Sequence, residues 1–133
     1  MNNDKRAIIC IDDDQTILKS LKSQLQRNFG TEYVYELAED AEEGFEVIEE
    51  LMKNDVQILI IVSDWLMPGM KGDEFLTKVH EKYPRIVKVL LTGQADELAI
   101  ENSYTNANLY KHIFKPWTEH ELVETVKNGL LKI

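Results

Sequence analysis

The 133-residue chain has little of what would mark a secreted, disulfide-bonded or membrane-spanning protein. Its single cysteine, Cys10, cannot form a disulfide within the chain and lies in an apolar run, where a free thiol behaves as a small hydrophobe. The longest aliphatic run, residues 58–62, is far too short to span a bilayer. The first residues include no apolar segment followed by a small-residue cleavage site. We therefore expect a cytoplasmic location without a membrane anchor.

Positive charge is also scarce in this sequence. The chain has 15 basic and 24 acidic residues and a formal net charge of -9, so its overall charge repels a polyanion. Direct binding of nucleic acid is therefore not expected. We find no internal repeat, low-complexity tract or linker, and the 44% hydrophobic content is enough to fill one core. We predict a single soluble globular domain.

Short apolar runs alternate with amphipathic stretches, which indicates strands and helices alternating around a parallel sheet. The predicted strands are residues 6–11, 33–37, 56–63, 86–91 and 109–114. Helical spacing of apolar residues follows each strand and is weakest in residues 95–104. Asp40 with Glu43 has the capping-box spacing that predicts the start of the second helix. Thr118 with Glu121 predicts the start of the fifth in the same way.

Polar residues follow the predicted strands at the points where the strands end. Open parallel sheets place their ligand sites beyond the carboxyl ends of the strands. Asp12 and Asp13 follow the first strand, and Asp64, Thr92 and Lys115 follow the third, fourth and fifth. Each residue alone is explained by a turn, a helix cap or a solvated charge. Together, carboxylates facing an ammonium and a hydroxyl are what a hard cation and a phosphoryl group require.

The sequence resembles the receiver domain of two-component response regulators through four motifs in the family's order: IICIDDDQ, SDWLMPGMKG, LLTG and FKPW. Each motif lies at the end of a predicted strand, and the resemblance covers nearly the whole chain. It implies a flavodoxin-like α/β fold with three layers, in which the five parallel strands have the order 2-1-3-4-5. The alternation of elements agrees with this fold but does not determine the strand order. We expect residues 1–133 to be a single receiver domain, with no output domain in this chain.

The resemblance implies a magnesium site, for which Mn²⁺ could substitute. Asp13, Asp64 and the backbone carbonyl of Leu66 would bind the ion directly, and Asp12 would help to hold it through coordinated water. Magnesium prefers near-octahedral oxygen ligands and retains water, which suits this set. The cation would offset the repulsion among three consecutive carboxylates. The third of these, Asp14, is expected to cap the first helix.

By the same resemblance, Asp64 is the nucleophile that accepts a phosphoryl group. The donor would be a phosphohistidine on a sensor histidine kinase or a phosphotransfer protein. Lys115, followed by Pro116 in a cis peptide, would neutralise charge on the transferred group, and Thr92 would donate its hydroxyl to the new phosphoryl oxygens. A receiver of this kind catalyses only its own phosphorylation and dephosphorylation and is not expected to be an enzyme.

Movement of Thr92 toward the phosphoryl group would change the surface formed by helix four, strand five and helix five. An output domain or a downstream protein would read this change. Receivers usually place an inward-turning aromatic residue three positions before the lysine, where this chain has His112, so His112 is either the switch residue or a solvated histidine. The resemblance also allows a homodimer through this surface, although no interface follows from the sequence.

Two further positions are expected to influence how long the phosphoryl group lasts. Leu66 lies two residues after the phosphoacceptor, and Gln94 lies two residues after the switch threonine. The resemblance makes both of them neighbours of the water that attacks during dephosphorylation. A leucine cannot orient water by hydrogen bonding, whereas a glutamine can. We therefore expect an intermediate or slow loss of phosphate.

Other classes of protein fit the sequence less well than a receiver does. A phosphotransferase or phosphatase with an aspartyl nucleophile generally has a second acid two residues later, where this chain has Leu66. A nucleotide or flavin module would need a glycine-rich phosphate loop after the first strand, where this chain instead has acids that repel phosphate. The remaining alternative is a receiver-like interaction module that is never phosphorylated. Retention of all the residues needed for phosphoryl transfer argues against it.

Overall fold

The fold is taken from a computed structural model, in which residues 5–93 and 97–133 are described. One parallel sheet contains β1 (Arg6–Ile11), β2 (Tyr33–Ala38), β3 (Gln57–Asp64), β4 (Val87–Thr92) and β5 (Lys111–Phe114), in the order β2-β1-β3-β4-β5. The helices are α1 (Gln15–Phe29), α2 (Ala41–Lys53), α3 (Gly72–Lys82), α4 (Glu97–Asn106) and α5 (Glu119–Leu130). The predicted α/β class, the flavodoxin-like fold and the strand order 2-1-3-4-5 are confirmed.

The predicted strands agree with the observed ones to within two residues at either end. The largest difference is at β5, which was predicted from residue 109 and begins at Lys111. Lys111 is the first residue that pairs with β4, where it lies opposite Val89. The weakly predicted fourth helix, residues 95–104, is confirmed from Glu97 onward and continues to Asn106. Residues 95 and 96 lie outside the described part of the chain.

Helices cover the sheet on both faces, which gives the three layers. Ile8 and Cys10 of β1 pack on one face with the buried leucines of α1 and α5. Ile9 and Ile11 pack on the other face in a cluster that includes side chains of α2 and α3. A strand covered on both faces needs apolar residues at every position, which accounts for the continuous apolar run at the start of the sequence. Burial raises the pKa of the Cys10 thiol to about 12, so Cys10 is the inert core cysteine that was predicted.

Side chains at the predicted helix starts accept hydrogen bonds from backbone amides. Asp14 accepts from the amide of Thr16 at 2.8 Å at the start of α1. Asp40 accepts from an amide of α2 at 2.8 Å, and Thr118 accepts from one of α5 at 3.1 Å. These bonds satisfy amides that have no partner within the helix. Because Asp14 is confirmed as a cap, its carboxylate is committed to α1.

Lys88 is a charged side chain buried inside the sheet region. It lies in β4, is 1% exposed, and its Nζ donates to the backbone carbonyl of Ile86 at 2.5 Å. Among the described residues, no carboxylate lies within ion-pair distance of it. Burial therefore lowers the pKa of Lys88 from 10.5 to about 8, because the charged ammonium loses hydration that one carbonyl does not replace.

Replacement of Lys88 by methionine is expected to stabilise the fold at pH 7 by about 2 kcal/mol, and by no more than roughly 3 kcal/mol. Below pH 8 the lysine is charged in both the folded and the unfolded chain, so the free-energy cost of burying its charge is fully present. As the pH rises from about 8 to 10.5, the folded chain releases its proton first, and the advantage of Lys88→Met disappears. Urea unfolding at pH 7 and pH 10 measures both values.

The exposed Lys78 of α3 provides the control, because Lys78→Met removes an equal charge from solvent. That variant is expected to change stability by less than about 0.5 kcal/mol at both pH values. If Lys88→Met gave the same stability gain at pH 7 and pH 10, burial of charge would not be the cause.

Candidate functional site

Polar side chains gather at the carboxyl edge of the sheet, as the sequence predicted. Asp64 is the last residue of β3, and Thr92 is the last residue of β4. Asp12 follows β1 and Lys115 follows β5, so residues far apart in sequence meet at one edge. Asp12 is 0%, Asp64 4% and Thr92 1% exposed, whereas Asp13 is exposed to solvent. The site therefore has a buried floor and one carboxylate at its mouth.

Lys115 joins the two buried carboxylates. Its Nζ lies 2.7 Å from Oδ2 of Asp12 and 2.9 Å from Oδ1 of Asp64. Its backbone amide donates to the carbonyl of Thr92 at 2.8 Å. This bond holds the start of the loop between β5 and α5 beside the end of β4. The peptide between Lys115 and Pro116 is cis, as the resemblance implied. One ammonium is thus held between acids from two different strands.

The site contains more negative than positive charge. Burial raises the pKa of Asp64 above its ordinary value, and the hydrogen bond from Lys115 opposes this rise without cancelling it. The nearby charges of Asp12 and Asp13 raise the pKa of Asp64 further. Burial lowers the pKa of Lys115, but its hydrogen bonds to the two acids outweigh that effect and leave its pKa raised. Lys115 therefore stays protonated, and its single positive charge does not balance the three carboxylates.

Three carboxylates have the spacing of a metal site. One oxygen each from Asp12, Asp13 and Asp64 lies within 4.8 Å of the other two. These are hard oxygen donors of the kind that Mg²⁺ binds through one or two carboxylates while it retains water. Oδ1 of Asp12 accepts the backbone amide of Asp14 at 2.9 Å, which orients this carboxylate. The donor set therefore fits the magnesium ion that was predicted here.

Gly72 is a residue of the site whose importance the sequence analysis did not recognise. It begins α3, and its amide donates to the carbonyl of Trp65 at 2.8 Å. A Cβ atom at this position would lie 2.1 Å from the backbone oxygen of Asp64 and 2.8 Å from Cα of Trp65. Only glycine allows α3 to approach the end of β3 so closely. The residue is visible in the sequence, but the close approach is a tertiary contact.

The remaining predicted site residues lie around this centre. Leu66 is 61% exposed, two residues after Asp64. His112 is half-buried in β5, and its Nδ1 lies 2.8 Å from the hydroxyl of Tyr104 in α4. Its ring also meets the ring of Phe114 edge-on, with centroids 5.2 Å apart. His112 therefore has ordered partners on its own strand and on α4, and its role as the switch stays a prediction. Gln94 lies outside the described residues.

Comparison with known proteins identifies the family. The profile described as the response regulator receiver domain matches residues 8–127. The chain therefore belongs to the receiver domains of two-component response regulators, which are signalling switches and generally bind Mg²⁺ at an acidic cluster. The prediction of a receiver is confirmed. In the part of the chain that the structure describes, no helix is long and apolar enough to cross a bilayer.

Individual relatives agree with this assignment. The hydrogenase transcriptional regulatory protein HoxA of Cupriavidus necator is 30% identical over 128 residues, which are 96% of this chain and 25% of that protein. A CheY homologue from Campylobacter jejuni is 29% identical, over 92% of this chain and 91% of its own length. The crystal structure of a CheY-like receiver domain protein from Methanospirillum hungatei matches with a TM-score of 0.83 and 32% identity, over 98% of this chain and 96% of that one. The chain thus spans about a quarter of the HoxA protein and most of the CheY homologue.

Proposed function

We propose that the chain is a phosphorylation-dependent switch in which Asp64 accepts a phosphoryl group from a phosphohistidine. The observation that carries this proposal is the placement of Asp64, a buried strand-end carboxylate 2.9 Å from the ammonium of Lys115 and within 4.8 Å of two further acids. Phosphoryl transfer depends on alignment and charge neutralisation more than on covalent assistance from the protein. The site therefore places the nucleophile, Asp64, directly beside the positive charge of Lys115.

Each residue has a defined part in the proposed reaction. An oxygen of Asp64 forms a bond to phosphorus as the phosphorus–nitrogen bond of the donor breaks, and the donor nitrogen keeps the electron pair. Lys115 already lies beside Asp64, so it stabilises charge on the transferred oxygens without reorganisation. Thr92, buried at the end of β4, donates its hydroxyl to the new phosphoryl oxygens. Asp13, Asp64 and the Leu66 carbonyl, with Asp12 acting through water, would hold a Mg²⁺ ion, which would supply the remaining positive charge.

The proposal includes the partners of the switch. A sensor histidine kinase or a phosphotransfer protein supplies the phosphoryl group in the cytoplasm. The surface of α4, β5 and α5 then controls an output domain or a downstream protein, or pairs with a second copy of the chain. Leu98 of α4 is 78% exposed and Phe114 of β5 is 46% exposed, so this surface offers apolar contacts. Within residues 1–133 we propose a receiver alone, with no output domain.

The deciding experiment measures the intact mass of the protein after incubation with acetyl phosphate, with and without Mg²⁺. We expect one added phosphoryl group that requires Mg²⁺ and is removed by hydroxylamine, as an acyl phosphate should be. If the folded protein acquires no phosphoryl group from acetyl phosphate or phosphoramidate at saturating Mg²⁺, the alternative of an interaction module that is not phosphorylated is favoured instead.

The lifetime of the phosphoryl group is expected to depend on Leu66. Leu66→Asn introduces a side chain able to orient the attacking water, and one hydrogen bond that strengthens in the transition state by about 1.4 kcal/mol accelerates hydrolysis about 10-fold. Decay of the phosphorylated mass after removal of acetyl phosphate measures the rate. Leu66→Met, which keeps an apolar side chain of similar size, is the control. Unchanged decay in Leu66→Asn would count against a role for this position.

A further inference from the structure

The carboxylate of Asp73 connects three segments of the molecule. Asp73 lies in the first turn of α3, where its Oδ1 accepts from Nε1 of Trp65 at 3.1 Å. Its Oδ2 accepts from Nδ2 of Asn102, in α4, at 3.0 Å. Trp65 directly follows the proposed phosphoacceptor, Asp64. One side chain thus links the residue beside the reaction site to the helix of the proposed signalling surface.

The main chain of Trp65 is held on both sides. Its amide donates to the carbonyl of Leu91 in β4 at 2.8 Å, and its carbonyl accepts from the amide of Gly72 at 2.8 Å. Its indole ring lies 5.5 Å from Nζ of Lys71. Because the backbone is tied to the sheet and to α3, a displacement of the end of β3 also moves the indole N–H that Asp73 binds. The indole therefore connects the backbone at the site to Asp73.

Helix α4 has little apolar packing to hold it in place. Within α4, only Ala99 and Ser103 are buried, and Ile100 adds partial packing against the core. Its position consequently depends more on directional polar contacts than that of α1 or α5, which bury several leucines or valines. Hydrogen bonds between side chains fix direction as well as distance, so they hold a helix in one orientation. The bond from Asn102 to Asp73 is a contact of this kind.

The helix dipole alone does not account for this arrangement. An acid in the first turn of a helix is favourable wherever its side chain points. Glu74 lies in the same turn and stays exposed to solvent, whereas Asp73 is half-buried with both oxygens bound by side chains from other segments. Asn102 in turn accepts a hydrogen bond from Asn106 one turn further along α4. The contacts therefore continue from the site into the body of α4.

We infer that Asp73 is a positioning residue that couples the phosphoryl site to α4 through its hydrogen bonds to Trp65 and Asn102. This inference rests on the proposed function, since the signal that it transmits is the phosphoryl group on Asp64. A shift of the backbone at the site favours one position of the indole, and the shared carboxylate passes that preference to α4. Loss of either hydrogen bond leaves phosphorylation possible but uncouples α4 from it.

Hydrogen exchange of the α4 amides, with and without beryllofluoride and Mg²⁺, tests this coupling in the full chain. Wild type and the control Glu74→Ala are expected to show a change in α4 exchange on adding beryllofluoride. In Asp73→Ala the change is expected to fall by about 5-fold or more, the lower end of ordinary coupling between sites. Phosphoryl uptake from acetyl phosphate, measured by intact mass, is expected to stay within about 3-fold of wild type, since Asp73 touches no reacting atom.

Two milder variants separate coupling from simple loss of structure. Trp65→Phe keeps an apolar ring but removes the N–H, and Asn102→Ala removes the donor on α4. Each is expected to reduce the α4 response as Asp73→Ala does, and neither is expected to reduce it further when combined with Asp73→Ala. If Trp65→Phe and Asn102→Ala kept the full response in folded protein, the inference would be overturned. A wild-type chain that takes up no phosphoryl group would instead refute the proposed function itself.

Discussion

Asp64→Asn is expected to abolish phosphoryl uptake from acetyl phosphate, with a rate at least about 10³-fold below that of wild type. The amide has nearly the shape of the carboxylate, so it fits the buried position at the end of β3, where Asp64 is 4% exposed. It lacks the anionic oxygen that attacks phosphorus. Lys115 keeps its second partner, Asp12 at 2.7 Å, so the local structure is retained. Intact mass measured over time, with Mg²⁺ present, gives the rate.

The acid run itself provides a matched control for this experiment. Asp14 is the third consecutive carboxylate, but it caps α1 through the amide of Thr16 at 2.8 Å. Asparagine caps a helix as well as aspartate does, so Asp14→Asn is expected to keep phosphoryl uptake near the wild-type rate. A hydroxylamine-sensitive adduct that forms on Asp64→Asn at the wild-type rate would show that another residue accepts the phosphoryl group.

Lys115→Met is expected to slow phosphoryl uptake by about 10² to 10³-fold while it tightens the binding of Mg²⁺. The rate falls because the ammonium 2.9 Å from Asp64 no longer neutralises the transferred oxygens. Affinity for Mg²⁺ rises because the same ammonium repels a second cation and competes for the carboxylates of Asp12 and Asp64. We expect the dissociation constant for Mg²⁺ to fall by about 10-fold, which corresponds to about 1.4 kcal/mol of relieved repulsion.

Calorimetric titration with Mg²⁺ and the mass-based rate measure these two effects on the same preparation. Lys111→Met is the control, because Lys111 is an exposed lysine of β5 close to the site in sequence. It is expected to leave both quantities near their wild-type values. A Lys115→Met variant that lost phosphoryl uptake and Mg²⁺ binding together would indicate collapse of the acid cluster, and would contradict the role proposed for the lysine.

The acid-rich edge could be predicted because its positions follow from local signals. An apolar run that predicts a strand precedes each of three site residues, Asp12, Asp64 and Thr92. Parallel strands bring their carboxyl ends to one edge of the sheet. The resemblance to receivers then supplied the chemistry of each position. The signal for α4 was weak because few of its residues are buried, and burial is what creates an apolar period.

The contacts that join different elements were not predictable in the same way. Asp73, Trp65 and Asn102 come together through the packing of α3 on β3 and of α4 beside α3. Each of the three is an ordinary polar or aromatic residue in the sequence. Their hydrogen bonds depend on distances and side-chain directions that no local pattern contains.

By itself, the sequence determined the alternation of strands and helices, the caps at Asp14, Asp40 and Thr118, and the presence of acids where strands end. These features depend on residues close together in the chain, so the physical chemistry of short segments is enough to specify them. Only the tertiary structure decided that Lys115 lies between Asp12 and Asp64, and that Tyr104 meets His112. The reason is that such contacts exist only once the sheet and its helices have packed, which places distant side chains within a few ångströms of each other.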